Sequence, residues 1–173
     1  KAFSPDVITG WNVEMFDIPY IVNRIKRILG EEWAKKLSPW EILEERTIEI
    51  AGQEYQAYVP VGISILDYLQ LYRKFSFTMQ ESYRLDHIAN VVLGERKLDY
   101  SEYESLFDLY EKNYQLFIEY NIRDVDLVDR LEDKLKFIEQ VYAIAYDGKV
   151  NYQDAFTSVR MWDIIIHNYL LSL

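Results

Sequence analysis

The sequence contains no cysteine and only two histidines among its 173 residues. A chain without cysteine forms no disulfide bond and offers no thiolate zinc site or cysteine nucleophile. The two histidines alone remain to supply nitrogen ligands for a metal. The six glycines and four prolines are not gathered into a linker or a low-complexity tract. A disulfide-stapled module and a thiol enzyme are therefore excluded.

The sequence also lacks a long apolar run and an excess of basic residues. No apolar stretch approaches the roughly 18 residues that a membrane helix requires, and the first residues have no signal-peptide core. We therefore expect a soluble, intracellular protein with no membrane partner. Nineteen basic residues against 29 acidic ones give a net charge of −10. Because this charge repels a phosphate backbone, contact with nucleic acid should be local, through metal ions or stacking.

The residues that are present indicate one globular protein. Half of them are apolar, and the aromatic residues number 15 tyrosines, 8 phenylalanines and 4 tryptophans. A chain of this length matches one domain and buries about 70% of the surface that it exposes when unfolded. Most of the acidic residues should form a solvated surface.

Hydrophobic periodicity predicts an α/β fold that is rich in helix and has a small sheet. Strands are predicted at 7–11 and 62–66, with a β-hairpin formed by 47–50 and 55–59. Apolar residues at helical spacing predict a helix over 18–29, which Gly30 ends. The Thr78-Met79-Gln80-Glu81 capping box predicts a helix that closes at Gly94, and longer helices are predicted over 103–119 and 122–146. The last segment, 158–173, is strongly apolar.

One helical stripe carries two residues that can do chemistry. The residues predicted to form this buried stripe are Val128, Leu131, Leu135, Ile138, Tyr142 and Ala145. Extending it backwards by four residues, and then four more, reaches Asp124 and Tyr120. A carboxylate that faces an apolar region needs a partner, a hydrogen bond or a cation. Alternatively, this first turn lies at the rim of the domain, where Asp124 caps the helix or meets water.

Asp17 is the second acidic residue of interest. It lies at the start of the predicted helix, two residues before Pro19. One interpretation is a helix N-cap, in which the carboxylate accepts hydrogen bonds from free N–H groups. The other is a role in a site shared with Asp124.

Two motifs bring these residues together. Asn12-x-x-x-Phe16-Asp17 followed by Tyr120-x-x-x-Asp124 resembles the second and third motifs of the 3′ to 5′ proofreading exonuclease domain of family B DNA polymerases. That domain has a ribonuclease-H-like fold and belongs to the DEDDy exonuclease superfamily. Longer stretches, such as GISILDYLQLYRKFSF and YNIRDVDLVDRLEDKLKFIEQ, are similar to the polymerases of T-even-type phages. The resemblance covers essentially the whole chain.

The resemblance implies phosphodiester hydrolysis by two Mg²⁺ or Mn²⁺ ions that four carboxylates hold. Asp17 and Asp124 would be metal ligands, and Tyr120 would orient the attacking water. Asn12 and Phe16 would line the single-stranded 3′ end of a DNA primer, although Phe16 could instead pack in the core. The hairpin within 47–59 would be an inserted element that helps to part primer from template, or else an ordinary surface hairpin.

The sequence departs from the family pattern in one respect. The first motif, an Asp-x-Glu on the opening strand, should precede Asp17, and no such pair is present. We therefore expect a truncated fragment with a partial exonuclease domain at 1–150 and a helical segment at 151–173 that leads towards the rest of the polymerase. Such a fragment alone should be inactive. Its incomplete sheet exposes an edge, which should promote self-association unless helices rearrange to cover it.

Two other interpretations remain. The chain could be a non-enzymatic helical module of a split or degenerate replication protein, which binds a partner through its acidic face and its apolar end. It could also be a standalone nuclease of the same superfamily. The phage resemblance implies the cytoplasm of an infected bacterium as the location.

Overall fold

Strands and helices alternate in the first part of the chain, and helices follow. The structure is a computed structural model that describes residues 5–50 and 52–173. The strands are β1 (Val7–Gly10), β2 (Leu43–Ile50), β3 (Gln53–Pro60) and β4 (Ser64–Asp67). The helices are α1 (Asp17–Leu29), α2 (Glu31–Lys35), α3 (Tyr68–Phe75), α4 (Leu85–Leu93), α5 (Leu106–Lys112), α6 (Tyr114–Leu135), α7 (Phe137–Gly148) and α8 (Ser158–Leu171), with a 3₁₀ helix at Tyr152–Phe156 between the last two.

The four strands form two separate pairs within the described residues. Strands β1 and β4 run parallel, with Val7 opposite Ser64 and Gly10 opposite Asp67. Strands β2 and β3 run antiparallel, with Leu43 opposite Pro60. Because parallel strands point the same way, the ends of β1 and β4 lie together, and the segments that follow both strands begin at the same edge.

The chain divides into two compact units. The first comprises Lys1–Phe75 and Ile138–Leu173, and the second comprises Ser76–Phe137. In the first unit a buried cluster joins α1 to the strands; its members are Val13, Ile18, Val22, Ala34, Tyr58 and Ile65. In the second unit the buried residues come from α4, α5 and α6 and include Leu85, Ile88, Leu109, Leu127 and Leu131.

Helix α1 confirms the helix predicted over 18–29. Its apolar face buries Ile18 and Val22, and Lys26 and Arg27 lie in the last turn, where cations interact favourably with the helix dipole. The helix starts one residue earlier than predicted. Phe16 is the N-cap and Asp17 is the first helical residue, so the N-cap interpretation of Asp17 is wrong. In the first turn a carboxylate is still stabilised by the helix dipole.

The capping-box prediction is also wrong. Helix α4 begins at Leu85, and residues 76–84 form no helix. Serine side chains make local bonds there instead: Ser76 Oγ donates to the Thr78 carbonyl at 3.3 Å, and Ser82 Oγ accepts from the Arg84 N–H at 3.3 Å. Such bonds compete with helix formation. The predicted end at Gly94 is confirmed, with a left-handed φ of 76°.

The predicted helices 103–119 and 122–146 are divided differently in the structure. One break occurs at Asn113, whose side chain accepts from the Leu116 N–H at 3.1 Å and caps α6. The other occurs at Lys136, which has a left-handed φ of 57°.

The break at Lys136 changes which side chains the last part of the predicted stripe buries. Val128, Leu131 and Ala145 are buried as predicted. Beyond the break, however, Phe137 and Val141 are buried, whereas Leu135 and Ile138 are half-buried and Tyr142 is exposed. A single continuous helix cannot account for this change of face, because its 3.6-residue period runs on without interruption.

Helix α8 is apolar, yet it contains no buried residue. Its exposed side chains include Val159, Trp162, Ile166, Tyr169 and Leu170. With 14 residues it is too short to cross a bilayer, and no other helix among the described residues has the length and apolarity to do so.

Candidate functional site

Asp17 follows a tight turn that joins β1 to α1. The Phe16 N–H donates to the Asn12 carbonyl at 3.1 Å, and the Ile18 N–H donates to the Val13 carbonyl at 3.0 Å. Asn12 has a left-handed φ of 64°, a conformation that asparagine tolerates better than most residues. The turn therefore sets the position of Asp17 at the first residue of the helix. Asn12 and Phe16 lie on the same turn.

Phe16 does not pack in the core. Its side chain is 67% exposed, so the core-packing alternative is wrong. An exposed aromatic ring beside Asp17 is available to stack on a base or a sugar.

Asp67 anchors this turn from the end of β4. Its Oδ1 accepts from the N–H groups of Asn12 at 3.1 Å and Leu69 at 3.0 Å, and its Oδ2 accepts from the Glu14 N–H at 3.1 Å. The residue is 2% exposed. Burial raises the pKa of Asp67 above its usual value, while the N–H donors oppose that rise because they stabilise the ionised form.

Glu14 lies on the same turn and is half-buried. Burial raises the pKa of Glu14, the negative charge of Asp67 raises it further, and the positive charge of Arg46 lowers it. The ionised form of Glu14 is therefore disfavoured both by its burial and by the neighbouring charge of Asp67.

Tyr120 and Asp124 lie one turn apart on α6, as the periodicity predicted. Tyr120 is buried and Asp124 is partly buried. Both contact Lys97, whose Nζ donates to Asp124 Oδ2 at 2.6 Å and to the Tyr120 hydroxyl oxygen at 3.2 Å. Asp124 therefore neither caps the helix nor is solvated by water alone.

Lys97 lies in the irregular segment that follows α4, and contacts with neighbouring residues hold it in place. Its N–H donates to Asp86 Oδ1 at 2.8 Å, and the Tyr100 ring packs edge-on against Tyr120 at 5.2 Å between centroids. Burial alone would lower the pKa of Lys97, but the hydrogen bond and charge of Asp124 outweigh it and the pKa is raised. Lys97 therefore carries its charge at neutral pH. Burial raises the pKa of Tyr120, against the effect of Lys97, so the phenol stays protonated.

The second oxygen of Asp124 fits a bound cation. Asp124 Oδ1 is buried and has no hydrogen-bond partner within the described residues. A buried oxygen without a partner is costly and calls for an explanation such as an ion. Hard divalent cations prefer such carboxylate oxygens. In the part of the chain that the structure describes, no three acidic or histidine side chains cluster closely enough to hold a metal by themselves.

A polar cleft of about 1020 Å³ also lies in the first unit. Glu14 and Asp67 line it, and so do several cations that already have partners. Arg46 pairs with Glu44 at 3.1 Å, Arg160 pairs with Asp154 at 2.9 Å, and Lys74 donates to the Phe156 carbonyl at 2.9 Å. Four acidic and four basic side chains line the cleft, so their formal charges balance, and Asp17 is not among the lining residues.

The predicted site residues fall into two groups. Asn12, Phe16 and Asp17 share one turn in the first unit, and Tyr120 and Asp124 share one helix face in the second. The convergence of Asp17 and Asp124 on one cation stays a prediction. Sequence reasoning missed Asp67 and Lys97. An acidic residue directly after a buried strand was a usable signal for Asp67, whereas Lys97 lies outside any periodic segment.

Comparisons with known proteins confirm the family resemblance. The first 88 residues match the family model for the exonuclease domain of DNA polymerase family B. The chain is 44% identical to the DNA-directed DNA polymerase of Escherichia phage RB69, over 96% of this chain and 18% of that protein. It is 39% identical to the DNA-directed DNA polymerase of Enterobacteria phage T4, again over 96% and 18%. A DNA polymerase of guinea pig cytomegalovirus is 27% identical over 84% of this chain and 14% of that protein. The chain thus spans under a fifth of the length of these phage relatives.

Proposed function

Because the chain belongs to the exonuclease domain of family B DNA polymerases, we propose that it forms part of a DNA polymerase and contributes to a proofreading site that removes nucleotides from a primer 3′ end. The observation that carries the proposal is the Tyr120 and Asp124 pair, with one buried Asp124 oxygen left without a partner. Asp17 supplies a second carboxylate at the start of α1. The remaining ligands would come from outside the described residues.

Asp17 and Asp124 would hold Mg²⁺ or Mn²⁺ ions, two in the complete site. Such ions supply a water nucleophile and stabilise charge on the attacking and leaving oxygens. The neutral Tyr120 hydroxyl would orient the attacking water. Lys97 binds the other Asp124 oxygen and so fixes the orientation of that carboxylate. Asn12 and the exposed Phe16 would contact the last nucleotides of the single strand.

The finer architecture belongs to the same proposal. The β1 and β4 pair would be part of a ribonuclease-H-like sheet, and β2 with β3 would be the inserted element that helps to part the strands. Residues 1–150 would belong to the exonuclease domain, and 151–173 would lead towards the polymerase domains.

The proposed partners follow from the exposed surfaces. The single-stranded primer end is the substrate, and the rest of the polymerase chain would cover the apolar face of α8, which the described residues leave exposed. The phage relatives indicate the cytoplasm of an infected bacterium as the place of action. A non-enzymatic helical module would use the same α8 surface, but it would have no need of the Tyr120 and Asp124 arrangement.

Nuclease assays of the longer polymerase chain that contains this sequence test the proposal. We expect Mg²⁺-dependent shortening of a 5′-labelled single-stranded oligonucleotide. Because the ions contribute several kcal/mol, Asp17→Asn or Asp124→Asn should each slow it by on the order of a thousandfold. Asp129→Asn, which changes an exposed residue of the same helix, is the matched control and should leave the rate unchanged. Retained DNA synthesis shows that the variants fold, and undiminished cleavage by both site variants would refute the proposal.

The 173-residue chain alone should not trim DNA, because it supplies only part of the ligand set. We also expect this chain to self-associate. The edge of β1 that faces away from β4 has no partner strand within the described residues, and such edges pair with other chains. Sedimentation velocity at increasing concentration should show dimers, and a monomer at every concentration would argue against the edge as an interface.

A further inference from the structure

We propose that Asp67 is a positioning residue for the exonuclease reaction, which anchors the turn that carries Asn12 and Phe16 and leads into Asp17, the first residue of α1. The inference rests on the proposed function. Asp67 itself touches neither substrate nor metal in this proposal. It acts through the backbone of the turn, and its effect on the reaction is therefore indirect.

The sheet brings Asp67 to this turn. Asp67 is the last residue of β4 and pairs in register with Gly10, the last residue of β1. The turn begins directly after Gly10, so its first N–H groups lie beside the Asp67 carboxylate. The bonds to Asn12 and Glu14 connect residues that are 55 and 53 positions apart in the chain. The anchor is therefore a tertiary contact.

Only a carboxylate satisfies this arrangement. The N–H groups of Asn12, Glu14 and Leu69 point at its two oxygens, and the Gln70 N–H also interacts with the carboxylate. An asparagine side chain of the same shape has one acceptor oxygen, and its NH₂ group would face one of these donors. Asp67 is almost fully buried although it borders the polar cleft, so water has little access to the position of the lost acceptor. One or two N–H groups would be left without a partner.

The anchor reaches Asp17 through a stiff segment. Asn12 is held at a positive φ, which a non-glycine residue adopts at a cost unless its surroundings fix it. Its carbonyl accepts from the Phe16 N–H, and the Val13 carbonyl accepts from the Ile18 N–H. A shift at Asn12 or Glu14 therefore moves the first residue of α1. Displacing a catalytic group by about 1 Å can cost on the order of a hundredfold in rate.

The first test measures hydrolysis by the longer polymerase chain. With Asp67→Asn we expect the kcat for a single-stranded oligonucleotide to fall roughly tenfold to a hundredfold. The Mg²⁺ concentration for half-maximal rate should rise severalfold, and excess Mg²⁺ should restore part of the rate. DNA synthesis should be unchanged. The control is Leu71→Val, which also alters a buried residue of the first unit but makes none of these hydrogen bonds. It should leave the Mg²⁺ dependence unchanged even where it lowers the melting temperature.

The second test needs no nuclease activity. Amide hydrogen exchange followed by NMR should show protected N–H groups at Asn12 and Glu14, and Asp67→Asn should remove this protection whereas Leu71→Val retains it. If the wild-type polymerase hydrolyses DNA and Asp67→Asn does so with unchanged kcat and Mg²⁺ dependence, the positioning role is refuted and the proposed function stands. If the wild-type polymerase hydrolyses no DNA, both are refuted.

Discussion

The two groups of predicted site residues, one in each compact unit, hold their carboxylates in different ways. In the first unit the turn that bears Asp17 is fixed by the buried Asp67, through neutral backbone N–H groups. In the second unit Asp124 is bound directly by the charged Lys97. Backbone donors fix the course of the chain, whereas the lysine fixes one side-chain oxygen of Asp124, and the other has no hydrogen-bond partner within the described residues.

The difference affects how well each group of residues tolerates substitution. Asp67 is almost completely buried, while the side chains of Lys97 and Asp124 are 25% and 30% exposed. Water therefore has readier access to Lys97 and Asp124 than to Asp67. Substitutions at the buried anchor should therefore have larger effects on stability than substitutions at the ion pair.

The largest effect is expected for Asp67→Ala. This change leaves three N–H groups without their acceptor, and buried donors without a partner cost about 1–3 kcal/mol each. After partial relaxation we expect the free energy of unfolding of the 173-residue chain to fall by about 3 kcal/mol. Urea denaturation measures it. The exposed Asp129→Ala should change it by less than about 0.5 kcal/mol, and equal effects of the two substitutions would contradict the anchor.

A smaller effect is expected for the lysine partner. Removing one member of a partly buried ion pair leaves the other uncompensated, so Lys97→Met should cost about 1–2 kcal/mol. A double-mutant cycle with Asp124→Asn should give a coupling energy of similar size. The exposed Lys35 and Glu32 pair on α2 provides the control cycle, with a smaller expected coupling because solvent screens both charges. Equal couplings would show that Lys97 is an ordinary surface partner.

The smallest effect concerns Glu14, which lies beside the anchor. Because its pKa is raised in the folded protein, the native state holds this proton more tightly than the unfolded state does. The contribution of Glu14 to the free energy of unfolding is therefore greatest in acid. It declines as the pH rises above about 4.5, the ordinary pKa of a glutamate side chain. Glu14→Gln should raise the melting temperature at pH 7 by about 2 °C, and this gain should disappear near pH 4.

The exposed Glu104→Gln is the matched control for Glu14. Calorimetry of both variants between pH 4 and pH 7 separates a local effect of Glu14 from the general effect of removing one negative charge. A melting temperature that Glu14→Gln lowers at pH 7 would show that the carboxylate is stabilising, contrary to its surroundings in the structure.

The predictable parts of the fold were the strongly periodic ones. Helix α1 could be predicted because its apolar residues recur at helical spacing and Gly30 ends it. The start of α4 could not be predicted from the capping-box pattern, because residues 76–84 form no helix and serine side chains at 76 and 82 make local bonds there instead. The break at Lys136 could not be predicted either. Helices commonly end at a glycine in the left-handed conformation, but here that conformation is adopted by a lysine, in which it is uncommon.

The same distinction applies to the site. Tyr120 and Asp124 were found because they continue a helical stripe of the sequence. Asp67 and Lys97 act on residues 53–55 and 23–27 positions away, and periodicity does not report such contacts. The partners that orient a site are thus harder to predict than the residues that form it.

The most direct test of the central claim asks whether Asp17 and Asp124 hold the same metal ions. In the longer polymerase chain, Fe²⁺ can replace Mg²⁺ and, with ascorbate and peroxide, cut the backbone next to the residues that bind it. We predict cuts near both residue 17 and residue 124, suppressed by excess Mg²⁺ and lost at both places in Asp124→Asn. Cuts near only one of the two residues, or cuts that persist near residue 17 in that variant, would contradict a shared site.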